Sequence, residues 1–201
     1  MKPSLQEQFG NIDIYLFDQL LRGRIVPGLR VFDAGCGGGR NLVYLLRNGY
    51  DVAGNDQDPH AIAQARLLAE SLAPHRSHDF RVEPIEATSF PDGSFDAVMA
   101  SAVLHFARDA AHFESMLRQL WRVLKPGGIF FARLASTIGI DDVEPLGNGR
   151  YRLPDGSDRY LVDAATIESW TSTLGGTLID PIKTTVVHEQ RSMTTWVAAR
   201  R

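Results

Sequence analysis

The sequence predicts an α/β fold in which a mostly parallel seven-stranded sheet carries helices on both faces and ends in an antiparallel hairpin. Three observations predict it. Short apolar runs alternate with segments of helical periodicity, the first such run ends in a glycine-rich turn, and the chain closes with two strand-like runs. Because this alternation is typical of parallel sheets covered on both faces, the architecture is expected to be doubly wound.

The elements follow in order along the chain. Ser4 and Glu7 have the spacing of a capping box, and apolar residues recur at helical intervals as far as Leu20, which predicts an N-terminal helical cap over residues 1–24. Strands and helices then alternate, and the Lys-Pro-Gly-Gly turn at 125–128 ends the last helix of the series. The predicted segments are strand 29–34, helix 40–48, strand 51–55, helix 59–72, strands 80–85 and 95–100, helix 110–124 and strand 129–134.

The last third of the chain does not follow this alternation of strands and helices. Strand-like runs at 177–187 and 193–199 are joined by a short polar stretch, which predicts the closing hairpin. Between Ile140 and Val162 lies an inserted hairpin with turn residues at 147–149 and 154–157. Because it follows the carboxyl end of a strand, it is expected to act as a lid or substrate-selecting element; the alternative is a passive excursion or an oligomer contact.

Composition limits the function classes. With 201 residues, the sequence predicts a single domain over 1–201. A net charge of -3 and no Lys/Arg run favour a small-molecule substrate over nucleic acid. A polar N-terminus and no long apolar run predict a cytoplasmic protein without membrane contact, and no metal site is expected. The oligomeric state stays open.

The glycine-rich turn after the first strand indicates a nucleotide-cofactor loop. Gly35, Gly37 and Gly38 leave the turn almost without side chains, so its backbone can lie against a ligand. Arg40 takes the last glycine position of a dinucleotide fingerprint, and Asp33 would repel phosphate but attract an ammonium or sulfonium group. This combination points to S-adenosylmethionine, and Asp56 ends the next strand where a doubly wound, Rossmann-like fold places a ribose-binding acid.

Four motifs in order carry a resemblance to a known family. They are Asp-Ala-Gly-Cys-Gly-Gly-Gly at 33–39, Asp56 with Asp58-Pro59, Phe-Pro-Asp-Gly-Ser-Phe-Asp-Ala-Val at 90–98, and Leu-Lys-Pro-Gly-Gly at 124–128. On these motifs the chain resembles the class I S-adenosylmethionine-dependent methyltransferases. The stretches 38–41, 48–52 and 101–106 look like the small tellurite-resistance type. The resemblance implies methyl transfer, with S-adenosylhomocysteine as the product, and an antiparallel last strand.

The resemblance also implies a set of cofactor contacts. The loop backbone would pass the methionine part, Asp33 would lie near its amino group, Asp56 would bind the ribose and Gln57 would lie beside the adenine. The full set is Asp33, Ala34, Gly35, Cys36, Gly37, Gly38, Asn41, Asp56, Gln57, Ile85, Glu86, Ala87 and Ser101. One position departs from the family pattern: Pro84 stands where an acid often meets the adenine, so either Ile85 and Glu86 contact it or this edge is built differently.

Methyl transfer needs alignment and exclusion of water more than acid–base chemistry, because the donor is already activated. His105 is the candidate base if the acceptor arrives protonated. The residues proposed to meet the acceptor are Arg40, His105, Arg133, Arg152, Tyr160 and Arg191, with Arg159 a further arginine of the same group. These arginines either converge on an anionic group or pair with surface acids. A nicotinamide-dependent oxidoreductase and a non-catalytic cofactor-binding module are the alternative functions.

Overall fold

The computed structural model describes residues 4–201, so Met1, Lys2 and Pro3 of the predicted N-terminal cap lie outside the described residues. The helices are α1 (Leu5–Phe9), α2 (Ile14–Leu21), α3 (Val43–Arg47), α4 (Pro59–Leu72), α5 (Ala110–Val123) and α6 (Ala164–Thr173). Within residues 4–201, no helix combines the length and the apolar character needed to cross a membrane.

The strands form two sheets. They are β1 (Arg30–Ala34), β2 (Asp51–Asp56), β3 (Asp79–Val82), β4 (Phe95–Ser101), β5 (Leu124–Ala135), β6 (Glu144–Gly147), β7 (Arg150–Arg152), β8 (Asp158–Tyr160), β9 (Gly176–Leu178), β10 (Lys183–Val187) and β11 (Arg191–Arg200). In the described part of the chain the main sheet runs β3-β2-β1-β4-β5-β11-β10, with β9 beside β11. Strands β1 to β5 pair in parallel, whereas β11 runs antiparallel to β5. The predicted fold class is confirmed.

Both faces of the main sheet are buried, which is the reason its strands read as nearly continuous apolar runs. Neighbouring residues of β4 face opposite sides: Val98 packs in one apolar cluster with Phe32, and Ala97 packs in the other with Val31. Because the parallel strands share one direction, their carboxyl ends lie at a single edge of the sheet, where ligands bind in such folds.

Several segments differ from the prediction. The single strand predicted at 177–187 is interrupted by Asp180 and Pro181, so it forms both β9 and β10, and the main sheet has eight strands among the described residues instead of seven. Proline lacks the N–H that a ladder requires, which explains the break. The strand predicted at 80–85 ends at Val82 and gives way to a 3-10 turn at Ile85–Ala87, and β5 begins at Leu124.

Two helical segments also differ. Helix α3 is restricted to Val43–Arg47 because residues 37–42 form turns after the glycine loop. Helix α6 was missing from the prediction, although Asp163 is a good N-cap signal: its Oδ1 accepts the N–H of Thr166 at 2.7 Å. Asp163, placed three residues before Thr166, is the sequence signal for this helix.

The N-terminal cap consists of two short helices. Ser4 and Glu7 form the predicted capping box on α1, and Gly10, with φ of +61°, ends that helix. Asp13 then caps α2 by accepting the N–H of Tyr15 at 2.9 Å. This turn between the helices brings Asp13 to the carboxyl edge of the main sheet.

The inserted segment forms a small antiparallel sheet, β6-β7-β8, which follows β5 and Ile140. Its turns lie at the predicted glycine positions. A small apolar cluster that includes Ile140, Leu153 and Leu161 joins this sheet to the end of β5. The insertion therefore stands beside the carboxyl end of β5.

Candidate functional site

The glycine loop after β1 has the conformation that a close ligand approach requires. Gly35 has φ of +66°, and a Cβ built there would lie 2.5 Å from Cγ2 of Val103, so no other residue fits without displacement. The loop is tied to β2, because the N–H of Cys36 donates to the carbonyl oxygen of Asn55 at 2.9 Å and that of Gly37 to Oδ2 of Asp56 at 3.0 Å.

A cavity of about 430 Å³ opens beside this loop, and we name it the Asp56 cavity. It is lined by Gly35, Asp56, Gln57, Glu83, Pro84, Ile85, Glu86, Ala102, Val103, Phe106, Arg108, His112 and Met116. Asp56 is held at its wall by two backbone donors, since its Oδ1 accepts the N–H of Asp58 at 3.0 Å. The structure thus brings Gly35, Asp56, Gln57, Ile85 and Glu86 of the predicted cofactor set to one cavity.

The far end of the Asp56 cavity departs from the family pattern, as the sequence indicates. Oε1 of Glu86 lies 2.9 Å from Nε2 of His112 and 3.8 Å from Nη1 of Arg108. Nδ1 of His112 accepts the N–H of Arg108 at 3.1 Å, which leaves Nε2 as the protonated nitrogen. Nε2 lies close to the Glu86 carboxylate but is not aligned for a hydrogen bond with it, and it has no other hydrogen-bond partner among residues 4–201. Glu86 and His112 therefore line the cavity beside Pro84, and neither His112 nor Arg108 was among the predicted residues.

A second pocket lies at the glycine loop itself, and most of its lining residues are predicted site residues. Gly35, Cys36, Gly37, Gly38, Arg40, Ser101 and Ala102 surround a shallow pocket that joins the Asp56 cavity at Gly35 and Ala102. Cys36 is buried, and this burial raises the pKa of its thiol above the ordinary value. A Cβ built at Gly54 would lie 3.0 Å from Sγ of Cys36, so the thiol packs tightly under the loop as a small apolar residue.

Asp33 lies beneath the loop and is only 1% exposed. Its Oδ2 has no hydrogen-bond partner among residues 4–201. Burial raises the pKa of this carboxyl group to about 7, with the nearby charge of Arg40 opposing the rise and that of Asp56 adding to it. A buried carboxyl group with an unpartnered oxygen is suited to a cationic group bound at the loop.

Three predicted cofactor residues line neither the Asp56 cavity nor the loop pocket. Ala34 is fully buried in the core, and Ala87 ends the 3-10 turn with an exposed side chain outside the wall of the Asp56 cavity. Asn41 is buried, and its Oδ1 accepts the N–H of Asp13 at 3.0 Å. The structure therefore places Asn41 as an anchor of the N-terminal cap instead of a wall of either pocket.

A network that the sequence did not predict joins the cap to the loop. The Asp13 side chain is fully buried, and its Oδ2 accepts from Oγ of Ser101 at 3.1 Å and from Nη1 of Arg133 at 3.1 Å. Nη2 of Arg40 donates to the same Ser101 hydroxyl at 3.0 Å. Residues from the cap, the loop, β4 and β5 are thereby fixed relative to one another.

A pocket of about 310 Å³, which we name the arginine pocket, adjoins the loop. It is lined by Arg40, Ala102, His105, Phe106, Arg133, Ala135, Leu153, Asp155, Ser157, Arg159, Val187, Arg191 and Met193. It shares Ala102 and Phe106 with the Asp56 cavity and Arg40 with the loop pocket, so the three pockets adjoin one another, and we name them together the trough. Arg40, Arg133 and Arg191 converge here, together with Arg159.

Two predicted acceptor residues do not line the arginine pocket. Arg152 is half exposed and its Nε donates to Oδ1 of Asp158 at 2.9 Å, on the outer face of the inserted sheet. Tyr160 is buried and its ring stacks on Phe113 with centroids 4.8 Å apart. Both predictions are corrected: Arg152 pairs with a surface acid, and Tyr160 belongs to the core because neighbouring strand residues face opposite sides.

His105 lies in the wall of the arginine pocket, but its tautomer does not suit a base. Its Nδ1 accepts the N–H of Ala135 at 3.2 Å, so Nε2 carries the proton. Burial and the charge of Arg159 lower the pKa of His105 to about 4, which keeps the ring neutral. In this state His105 can donate from Nε2 but cannot accept a proton there, which argues against the predicted role as a base.

Comparisons with known proteins agree with this geometry. A family model described as a methyltransferase domain matches residues 32–132, which contain the glycine loop, Asp56 and β4. The chain is 40% identical over 109 residues to a ubiquinone biosynthesis O-methyltransferase of Methylocella silvestris; the match covers 54% of this chain and 41% of that protein. The chain thus spans less than half the length of this curated relative.

Solved structures share the fold. A SAM-dependent methyltransferase from Methanosarcina mazei superimposes with a TM-score of 0.73 at 20% identity, covering 90% of this chain and 96% of that one. The magnesium protoporphyrin IX methyltransferase of Synechocystis with bound SAM gives a TM-score of 0.68 at 20% identity, covering 94% and 77% of the two chains. At this identity the likeness concerns the fold.

Proposed function

Because the chain belongs to the methyltransferase domain family, we propose that it transfers a methyl group from S-adenosylmethionine to a small-molecule acceptor. The observation that carries this proposal is that the pockets of the trough adjoin one another at the carboxyl edge of the main sheet. The Asp56 cavity and the arginine pocket meet at Ala102 and Phe106, so two ligands can lie end to end across this junction. Such an arrangement suits in-line transfer between them.

The residues of the Asp56 cavity and the loop fit S-adenosylmethionine. Asp56 presents a carboxylate for the ribose hydroxyls, and Gln57, Ile85 and Glu86 line the space beyond it for the adenine. The positive-φ glycines let the backbone contact the methionine part, above the unpartnered Oδ2 of Asp33. When bound, this cofactor supplies a methyl group activated by its sulfonium charge.

The chain itself then has to orient the acceptor and exclude water. His105, whose Nε2 carries the proton, lines one wall of the arginine pocket, and Leu153, Asp155 and Arg159 of the inserted segment form another wall. The lid function of residues 140–162 and the finer likeness to the tellurite-resistance type both stay predictions. The arginine pocket supports a small-molecule acceptor.

Calorimetric titration tests the proposal. We expect S-adenosylmethionine and S-adenosylhomocysteine to bind with micromolar affinity, a free energy of about -8 kcal/mol, while NAD and NADP show no heat. Binding of NAD alone would instead make the chain an oxidoreductase. Cofactor binding without S-adenosylhomocysteine formation across a broad acceptor screen would make it a non-catalytic binding module.

Replacing Asp56 tests the ribose contact. We expect Asp56→Ala to weaken S-adenosylhomocysteine binding by about 1 to 3 kcal/mol, since a charge-assisted hydrogen bond is lost. Asp51→Ala is the matched control, because Asp51 begins the same strand and pairs with Arg30 at 3.2 Å, away from the trough. Equal affinities for the two variants would rule out the assignment of Asp56.

A further inference from the structure

The arginine pocket carries an excess of positive charge that its own acids do not neutralise. Arg133, Arg159 and Arg191 line it, whereas the nearby acids are Asp13, Asp155 and Asp158, of which Asp158 is paired with Arg152 outside the pocket. Arg40 lies at the border with the loop, where it bonds Ser101 and where the methionine carboxylate of the proposed cofactor would meet it. Three guanidinium groups against two carboxylates leave one positive charge for the acceptor.

The bonds within the pocket show which arginines are available. Arg133 is committed to the fully buried Asp13. Oδ1 of Asp155 accepts the N–H of Ser157 at 3.0 Å and its hydroxyl at 2.6 Å, and the charges of Arg159 and Arg191 help to lower the pKa of this carboxyl group. Within residues 4–201, the side chain of Arg191 has no hydrogen bond or ion pair, and that of Arg159 donates only to the carbonyl oxygen of Asp158.

Apolar residues form another part of the wall, beside His105 and Ser157. Phe106 is 53% exposed, which is unusual for a large aromatic residue, and it lies where the arginine pocket meets the Asp56 cavity. The guanidinium of Arg159 lies 4.9 Å from the centre of the Phe106 ring. Leu153, Val187 and Met193 complete this wall. The pocket therefore has a cationic end and an apolar surface that leads toward the cofactor.

We propose that the methyl acceptor is a monoanion with one carboxylate and an apolar body. Its carboxylate binds Arg159 and Arg191, whose planar donors match a carboxylate in a two-point contact, and its body lies along Phe106 toward the methyl donor. A neutral acceptor would leave these guanidinium groups without a partner, and a phosphate dianion would exceed the single free charge. This inference rests on the proposed methyl transfer and names its substrate class.

Paired ligands test the inference on wild-type protein saturated with S-adenosylhomocysteine. The probes are benzoate with benzamide, hexanoate with hexanamide and indole-3-acetate with indole-3-acetamide, plus phenyl phosphate. We expect at least one carboxylate to bind about tenfold or more tightly than its own amide. If each amide binds as tightly as its carboxylate in all three pairs, the inference is overturned. It is also overturned if phenyl phosphate binds more tightly than benzoate.

Variants locate the contact. We expect Arg159→Gln and Arg191→Gln each to weaken the preferred carboxylate about tenfold while S-adenosylhomocysteine affinity stays unchanged, which also shows that the variants fold. Arg152→Gln removes the same charge from the same small sheet but outside the pocket, so it should have no effect. An Arg159→Gln protein that binds carboxylate normally would overturn the inference. Failure of wild-type protein to bind S-adenosylhomocysteine would count against the proposed function instead.

Discussion

Asp33→Asn is expected to stabilise the ligand-free protein and at the same time to weaken its cofactor binding. Burial raises the pKa of Asp33 from 3.8 to about 7, so the folded protein keeps a proton that the unfolded chain releases between these values. Folding stability therefore falls as the pH rises through that window, and the full penalty is present above pH 7. The neutral amide of asparagine avoids this penalty. We therefore expect Asp33→Asn to raise the free energy of unfolding by about 2 to 4 kcal/mol at pH 8.

The measurement is urea unfolding at pH 4 and at pH 8, with calorimetric titration of S-adenosylhomocysteine at pH 8. The gain in stability should shrink to less than about 1 kcal/mol at pH 4, because the folded protein keeps Asp33 protonated there and the unfolded chain is close to its own pKa of 3.8. Affinity should fall about tenfold or more, because the amide cannot pair with the ammonium group of the cofactor.

Asp96→Asn is the matched control for Asp33→Asn. Asp96 lies on the neighbouring strand at the opposite end of the sheet, and Nζ of Lys125 and the N–H of Arg30 hold its pKa below the usual value despite partial burial. Asp96→Asn should leave the free energy of unfolding at pH 8 unchanged or lower it slightly, and it should not change cofactor affinity. A destabilised Asp33→Asn protein at pH 8 would mean that the buried carboxylate has a partner.

The residues on the cofactor side of the trough could be predicted from their neighbours in the sequence. Glycines after a buried strand encode the loop, and an acid at the end of the next strand encodes Asp56, because both features depend only on neighbouring residues and strand direction. The parallel sheet follows from the alternation of strands and helices. The assignment of individual residues to cofactor contacts stays a prediction that the Asp33 and Asp56 variants test.

The acceptor side depends on long-range packing and strand register. In the inserted sheet Tyr151 pairs with Arg159 and Arg152 with Asp158, so adjacent residues of one strand face different surroundings. A shift of one residue in this pairing would exchange the surroundings of adjacent residues, and amino-acid composition alone does not fix the register. The same limit applies to Asp13, which meets Arg133 from 120 positions away in the chain.

Asp13→Ala is expected to have the largest destabilising effect in the site. The Asp13 side chain is fully buried, accepts hydrogen bonds from Ser101 and Arg133, and caps α2 through the N–H of Tyr15. Its removal leaves the charge of Arg133 uncompensated at a position where its side chain is only 21% exposed. We expect a loss of about 3 to 5 kcal/mol in the free energy of unfolding, measured by urea titration at pH 7.

Two further variants separate the buried charge from the helix cap. Asp18→Ala removes an acid of the same helix that pairs with Arg22 at 2.8 Å on the surface, and it should cost less than about 1 kcal/mol. Adding Arg133→Met to Asp13→Ala removes the uncompensated charge while keeping the volume, so the double variant should be more stable than Asp13→Ala alone. If the double variant is no more stable, the cost arises from the lost cap and the lost Ser101 bond instead, and the Asp13–Arg133 pair contributes little to holding the N-terminal cap over the trough.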